Sequence, residues 1–313
     1  MKFSILIPAY KDTFLVSCID SVLSQSYSDY EIIIVNDASP FPIDEIVSKY
    51  SDSRIIYSKN EKGFGAKNVV DNWNRCLELS SGDYVICMGD DDRLMPNCLM
   101  DYYDSIQQHP GFNIYHIRTE VIDENGTVID LQEDRPEYET VYSMLWHRLV
   151  KNRMQYIGDF LFKRTFIEKQ GGFYKLPYAC YSDDISAYIA AQEKGIYNIN
   201  MLGFQYRNNS QTITNTQDLK LVASSVQQAV TWMRSFLQSV PNSEESILYR
   251  ELTLRTLTDY ENGMYKYCFR NSMRKDLFQG KSYWWKHRKV YSISNKYYLK
   301  VLFGSIIRRF KNK

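Results

Sequence analysis

The chain has 313 residues, 44% of them apolar and 24% charged, which is enough for one large domain with a substantial appendage. No uninterrupted apolar stretch reaches the roughly 20 residues that a bilayer-spanning helix needs, and the six cysteines (18, 76, 87, 98, 180 and 268) form no CxxC pair, which argues against a zinc framework. The net charge of +1 conceals a split: residues 264–313 hold nine Lys, five Arg and a single acid, Asp276, for +13, so 1–263 carry −12.

Phe3 to Pro8 is a short apolar run without alternation, the signature of a parallel strand covered on both faces. Residues 12–26 place Leu15, Ile19, Val22 and Leu23 on one helical face. A second buried strand, Glu31–Val35, ends in the polar turn Asn36-Asp37-Ala38-Ser39-Pro40. A short helix over 43–50, a strand over 54–58 and a glycine-bearing loop over 60–65 follow. The pattern then predicts a helix over 66–79, a strand over 84–88 and a helix over 96–107. Strands alternating with helices predict βαβ units and a mostly parallel sheet with helices on both faces. After Gly111 the order weakens. Strands are expected at 112–117, 120–122, 127–131, 158–163, 196–200 and 204–207, and helices at 142–150, 165–170 and 182–194. The loop 208–216 is a boundary, and beyond it two helices are expected at about 217–239 and 243–275, with a break near Gly263.

The chemistry concentrates at strand ends. Asp83 to Pro96 runs from an apolar strand through Gly89 into Asp90, Asp91 and Asp92. In open α/β sheets ligands bind outside the carboxyl ends of the strands, and three adjacent carboxylates raise one another's pKa. A hard divalent cation sharing its shell with substrate phosphates relieves that repulsion. The plain alternative is an acidic turn capping the next helix, as a lone Asp37 is more simply a helix cap. Four polar features nevertheless end consecutive strands: Pro8-Ala9-Tyr10, Asp37, Gly63–Asn68 and the aspartate triplet. No GxGxxG follows the first strand and no GxxxxGK[ST] occurs, so a diphosphate held by metal and carboxylates is what remains.

Those stretches resemble a family 2 glycosyltransferase of the GT-A fold: Ser4–Tyr10, Ser21–Tyr27, Tyr30–Ser39, then Asn60, Gly63, Ala66, Asn68, Gly82–Val85, and Gly89-Asp90-Asp91-Asp92 with Pro96. The resemblance implies a GT-A domain over 1–214, with a nucleotide-sugar half (1–110) and an acceptor half (111–214), followed by a helical, basic region over 215–313. It implies that Pro8, Ala9, Tyr10, Asp37, Lys67 and Asp90 border the nucleotide and that Asp91 and Asp92 hold Mg²⁺ or Mn²⁺. Ser182-Asp183-Asp184 opens a helix whose acids suit its dipole; the resemblance makes Asp184 the catalytic base for an inverting transfer. Gly158–Phe173 resembles the segment shaping the acceptor side. This chain departs from the family pattern at Gly89 (usually an acid), Lys67 (more often arginine), Ala190 (often arginine) and Asn209 (often histidine).

The resemblance further implies a nucleotide-sugar donor, UDP by default, and a saccharide or polyprenyl-linked acceptor in bacterial surface-polysaccharide synthesis. The basic tail interleaves Trp284, Trp285, Tyr297, Tyr298, Leu299, Phe303 and Ile307 with Lys and Arg, which suits an amphipathic helix in a membrane interface. Nucleic acid is disfavoured because the acidic body opposes it. Met1-Lys2 leads directly into a strand, so a cytoplasmic chain without a leader, peripheral on the membrane, is expected. Two rivals remain at this level: a nucleotidyltransferase, which needs a glycine- and lysine-rich loop after the first strand, and a non-catalytic sugar-nucleotide-binding module, which needs no base at Asp184.

Overall fold

The computed structural model describes residues 1–151, 153–210, 212 and 217–311, without the side chains at 279 and 309–311. The expected boundary at 214/215 and most of the loop 208–216 lie outside these residues. The chain divides into two compact units, Met1–Asn215 and Thr216–Lys313.

In the first unit a ten-stranded sheet is ordered β3-β2-β1-β4-β9-β6-β10-β5, with β7 on β6 and β8 on β10. Residues 1–110 supply β1 (Phe3–Ala9), β2 (Tyr30–Asn36), β3 (Ile55–Lys59), β4 (Tyr84–Cys87) and the two-residue β5 (Arg93–Leu94). Residues 111–214 supply β6 (Ile114–Ile122), β7 (Val128–Leu131), β8 (Tyr138–Glu139), β9 (Phe160–Lys163) and β10 (Ile196–Arg207). The strands β1–β4, β6 and β10 run in one direction and the short β5, β7, β8 and β9 run against them. All the long strands therefore end on one edge. Ala9 pairs with Asn36 across β1 and β2, and Leu6 pairs with Cys87 across β1 and β4.

The helices are α1 (Leu15–Leu23), α2 (Ile43–Val47), α3 (Val69–Leu79), α4 (Cys98–Gln108), α5 (Val141–Leu149), α6 (Arg164–Lys169) and α7 (Ser182–Ala191). One core cluster joins the β1, β2 and β4 side chains Ile5, Ile7, Ile32, Ile34 and Ile86 to Leu15, Ile19 and Val22 of α1 and to Leu99 and Tyr102 of α4. Each aliphatic side chain so buried contributes about 1.5–3 kcal/mol. None of the six cysteines is in a disulfide, and all but the half-buried Cys180 are buried.

The structure corrects several expected boundaries. The stretches 112–117 and 120–122 belong to one strand, because the interruption, Arg118-Thr119, is satisfied internally: Gln132 Oε1 accepts from Thr119 N at 3.0 Å and Gln132 O from Arg118 Nε at 2.7 Å. Similarly, 196–207 is one strand whose register against β6 slips between Ile199 and Phe204, which hides its alternation. The two-residue strands β5 and β8 carry no pattern of their own.

The second unit comprises α8 (Leu219–Phe236), α9 (Glu244–Lys275), α10 (Leu277–His287) and α11 (Asn295–Lys311). No break occurs at Gly263: α9 runs unbroken for 32 residues. A single glycine costs about 1 kcal/mol in a helix, and Leu257, Tyr265, Cys268 and Phe269 are buried on either side of it. The tail is not one amphipathic helix but two helices with a core of their own. Trp284 and Tyr298 are buried, packing on Phe269 at ring distances of 5.6 and 5.4 Å. Among the described residues, no helix is long and apolar enough to cross a membrane.

Candidate active site

The β1, β2, β4 and β10 ends bring together the residues expected at the nucleotide site. Asp90 Oδ2 accepts hydrogen bonds from the backbone N–H of Tyr10 (2.7 Å) and Lys11 (2.6 Å), pinning the chain leaving β1 to the chain leaving β4. Burial, with Asp91 alongside, pushes the Asp90 carboxyl up to about 6. Pro8 and Ala9 close β1, and Tyr10 is exposed, with Phe41 edge-on at 6.2 Å.

Asp37 does not cap the helix that follows, whose N-cap is Pro42. Its Oδ1 accepts from Phe64 N (2.8 Å) and Asn60 Nδ2 (3.0 Å), and its Oδ2 accepts from Gly65 N (2.9 Å). The carboxylate thus fastens the 60–65 loop to the end of β2. Gly63 is required there, because a Cβ on it would stand 2.5 Å from the Asp37 carbonyl oxygen. Lys67 is exposed on the 3₁₀ turn Ala66–Asn68 after this loop, and the turn Pro177–Ala179 lies alongside it.

The three aspartates differ. Asp92 is buried and satisfied by backbone on both oxygens: Arg207 N donates to Oδ1 (2.9 Å) and Gly89 N to Oδ2 (3.2 Å). Burial holds its carboxyl well above the usual range. Asp91 is half-buried, its side chain 14% exposed. Its Oδ2 accepts from Asn209 Nδ2 at 2.8 Å and faces Lys11 Nζ at 3.7 Å, while its Oδ1 accepts nothing among the described residues. A Cβ on Gly89 would stand 2.7 Å from Asp91 Oδ1 and 2.9 Å from Asp92 Oδ2, so the missing side chain leaves both carboxylates facing one small space. Hard carboxylate oxygens in that arrangement fit Mg²⁺ or Mn²⁺, which takes one or two carboxylates and completes its shell with water and phosphate. Among the described residues, no three acid, His or Cys side chains form a ready metal cage.

Two contributors, Lys11 and Arg207, were not among the expected site residues, and Asn209, named from the sequence only as a departure from the family pattern, gains a contact. Lys11 and Asn209 both reach Asp91. Arg207, buried, lies 4.2 Å over the Phe14 ring, donates from Nε to the Asp91 carbonyl (2.9 Å) and from Nη1 to the carbonyls of Asp123 (2.9 Å) and Glu124 (3.3 Å). It braces the aspartate turn against the β6–β7 hairpin. The sequence signal for Arg207 and Asn209 is their place at and just after the end of β10, where the family pattern more often has a histidine at 209; Lys11 carries none.

Asp183 and Asp184 open α7, preceded by Tyr178, Ala179 and Tyr181 with φ of 59°, 54° and 69°. Non-glycine residues in that region cost about 1 kcal/mol or more each, so tertiary contacts hold this entry to the helix. Asp184 is 1% exposed. Arg148 Nε (2.8 Å) and Gln155 Nε2 (2.9 Å) both donate to its Oδ1, leaving Oδ2 without a hydrogen bond among the described residues. Arg148 is steadied by the Arg153 carbonyl (3.1 Å), and Arg153 Nη1 grips both oxygens of Glu139 (2.6 and 2.8 Å). Asp183 is half-buried, and burial of its carboxyl next to Asp184 pushes it up to about 7 against the pull of Arg148. From the segment expected on the acceptor side, Asp159 is fully buried, with Gln132 Nε2 (2.7 Å) and Tyr156 N (3.1 Å) donating to its Oδ2. That part is structural support.

The family model for Glycosyl transferase family 2 matches residues 4–171. The putative colanic acid biosynthesis glycosyl transferase WcaA of Escherichia coli (strain K12) is 35% identical over 115 residues, 34% of this chain and 40% of its own. The UDP-Glc:alpha-D-GlcNAc-diphosphoundecaprenol beta-1,3-glucosyltransferase WfaP of Escherichia coli is 40% identical over 91 residues, 28% of this chain and 35% of its own. The chain spans less than half the length of these curated relatives. Among solved structures, S. aureus TarS 1-349 in complex with UDP-GlcNAc superposes with a TM-score of 0.64 at 12% identity, covering 100% of this chain and 93% of that one. The mannosyltransferase PcManGT from Pyrobaculum calidifontis, in complex with GDP-Man and Mn²⁺, gives 0.52 at 14% identity, covering 99% and 87%. At these identities the likeness establishes the GT-A fold.

Proposed function

Since the chain belongs to glycosyl transferase family 2, we propose that it is an inverting, metal-dependent transferase moving a sugar from a nucleoside-diphosphate sugar, UDP-linked by default, to a hydroxyl of a saccharide or polyprenyl-linked acceptor in surface-polysaccharide synthesis. The observation that carries this reading is the open Asp91 Oδ1 at the strand edge shared by Pro8–Tyr10, the Asp37-tied loop and Lys11. The names of WfaP and of the TarS and PcManGT complexes, with UDP-Glc, UDP-GlcNAc, and GDP-Man with Mn²⁺, support the donor and metal classes. Six cysteines outside any disulfide accord with a reducing, cytoplasmic compartment.

In this reading Pro8, Ala9, Tyr10 and Asp37 border the base, Asp37 by shaping the 60–65 loop as well as by facing the ring. Lys67 and Asp90 flank the nucleotide. Asp91 would hold Mg²⁺ or Mn²⁺ directly, and Asp92, expected beside it as a ligand, has both oxygens engaged by backbone and would keep the turn in place behind it. When bound, the cation would neutralise charge on the departing diphosphate, and the Lys11 ammonium adds to that. Asp184 Oδ2 takes the acceptor hydroxyl proton as the oxygen attacks the anomeric carbon. The bond from that carbon to the diphosphate breaks and its electron pair leaves with the diphosphate, so one displacement inverts the configuration. With Arg148 and Gln155 confined to Oδ1, Oδ2 is the atom left for the proton.

A thermal-shift screen of nucleoside diphosphates with and without Mn²⁺ tests the reading. UDP is expected to raise Tm only with the cation, and Asp91→Ala is expected to abolish the shift. No shift with any nucleotide and cation would overturn the assignment.

A further inference from the structure

α11 has two faces of different chemistry. Tyr298 turns inward, 4% exposed, stacked on Phe269 and edge-on to Trp285, with its hydroxyl donating to the Lys281 carbonyl at 2.7 Å. Leu299, Phe303 and Ile307, spaced by four residues, are 45%, 59% and 56% exposed. Side chains four apart on a helix share a face, so these three form one apolar stripe. Lys296, Lys300 and Arg308, all exposed, border it. Solvent alone gives no reason for Leu, Phe and Ile on an outer face whose inward side already packs a core.

Charge selects among covers. Residues 264–313 carry +13 with Asp276 as their only acid, and Lys266, Arg270, Arg274, Lys281, Lys286 and Lys289 are exposed as well. A second copy of so basic a region would be repelled. Trp285, exposed on α10 beneath Arg288 at 3.8 Å, has the amphipathic character of an interfacial anchor. An apolar stripe edged by cations fits a surface with acyl chains below and anionic headgroups above. We propose that the Leu299–Phe303–Ile307 face of α11 docks in the plane of an anionic lipid bilayer, with Lys296, Lys300 and Arg308 at headgroup level. This goes beyond the transfer reaction and does not depend on it, since lipid binding is read without substrate.

The test is co-sedimentation of the full chain with vesicles of phosphatidylcholine alone or mixed with phosphatidylglycerol. The expected result is binding to the anionic vesicles that weakens with salt, each basic residue at the surface raising the partition about fivefold. Replacing Leu299, Phe303 and Ile307 together by Glu is expected to cut that partition at least roughly tenfold, with an unchanged circular-dichroism spectrum. A second variant, Phe303→Trp, alters the stripe without breaking it, and the fluorescence it adds is expected to shift to the blue on anionic vesicles only. No binding by the natural chain, equal binding to neutral vesicles, an unshifted emission from the Phe303→Trp variant, or binding to duplex DNA in place of vesicles would each overturn the proposal. So would a dimer in ultracentrifugation that the triple substitution dissociates while vesicle binding stays unchanged.

Discussion

The Arg148 guanidinium and the Asp184 carboxylate meet on one oxygen: Nε donates to Oδ1 at 2.8 Å, and Oδ2 is left to the site. A carboxylate so held is fixed in orientation and keeps one acceptor for chemistry. Asp184→Asn is therefore expected to lower kcat by about 10²–10⁴ while leaving the Kd for UDP with Mn²⁺ within about twofold. Calorimetric titration beside a transfer assay checks both, and full turnover would remove Asp184 as base.

Arg148→Met isolates the ion pair. Removing one partner from a buried pair costs about 3–5 kcal/mol, and the lower end is expected here because the Arg148 side chain is still partly exposed. Urea denaturation measures the loss. A variant as stable as the natural chain would show that the pair positions Asp184 without stabilising the fold.

Asp91 and Asp92 should separate by phenotype. Asp92 ties Gly89 N to Arg207 N, and leaving a buried donor without its partner costs about 1–3 kcal/mol, so Asp92→Ala is expected to lower Tm markedly. Asp91→Ala removes one Asn209 hydrogen bond and a long Lys11 ion pair, so it is expected to lower Tm less than Asp92→Ala and to remove the dependence of nucleotide binding on Mn²⁺. EDTA is expected to abolish transfer by the natural chain, with Mg²⁺ or Mn²⁺ restoring it.

Gly89→Ala probes the space between the same two carboxylates. The new methyl lies under 3 Å from both; Asp91 Oδ1 accepts no hydrogen bond among the described residues and can swing aside, whereas Asp92 is held by Gly89 N and Arg207 N. Nucleotide affinity with Mn²⁺ is expected to fall about tenfold, equivalent to about 1.4 kcal/mol, with a smaller loss of Tm than in Asp92→Ala. An unaltered affinity would place the cation elsewhere.

Asp159 gives a pH signature. Burial pushes its carboxyl from 3.8 up to about 7 despite Arg135 and the Gln132 hydrogen bond. The folded chain therefore binds this proton more tightly than the unfolded chain, and the group's contribution to stability falls as pH rises from about 4 to about 7. Asp159→Asn keeps the shape and removes the proton, so the unfolding free energy is expected to lose that part of its slope. Denaturation curves at several pH values compare the two slopes.

Strand pattern and acid placement made much of residues 1–110 legible, because parallel strands covered on both faces read as unbroken apolar runs. FSILIP and EIIIV declare β1 and β2 in that way. Gly171-Gly172 after α6 was equally readable, both residues holding positive φ that a helix end accepts. Residues 111–214 were less so: His116, Thr119, Gln132 and Asp159 are polar yet buried, hydrogen-bonded to one another across distant parts of the chain, and polar residues in a strand look like its end.

By itself the sequence determined the alternation of strands and helices, the single edge on which the acids of β2 and β4 emerge, and the charge divide between body and tail, since all three depend on residue type and local spacing. Only the tertiary structure decided which oxygen of each aspartate stays open, that Lys11, Asn209 and Arg207 surround the triplet, and which tail aromatics are core and which are surface. Those outcomes depend on contacts between residues up to 118 positions apart, as for Asn209 and Asp91, and on burial, which a periodicity along the chain does not encode.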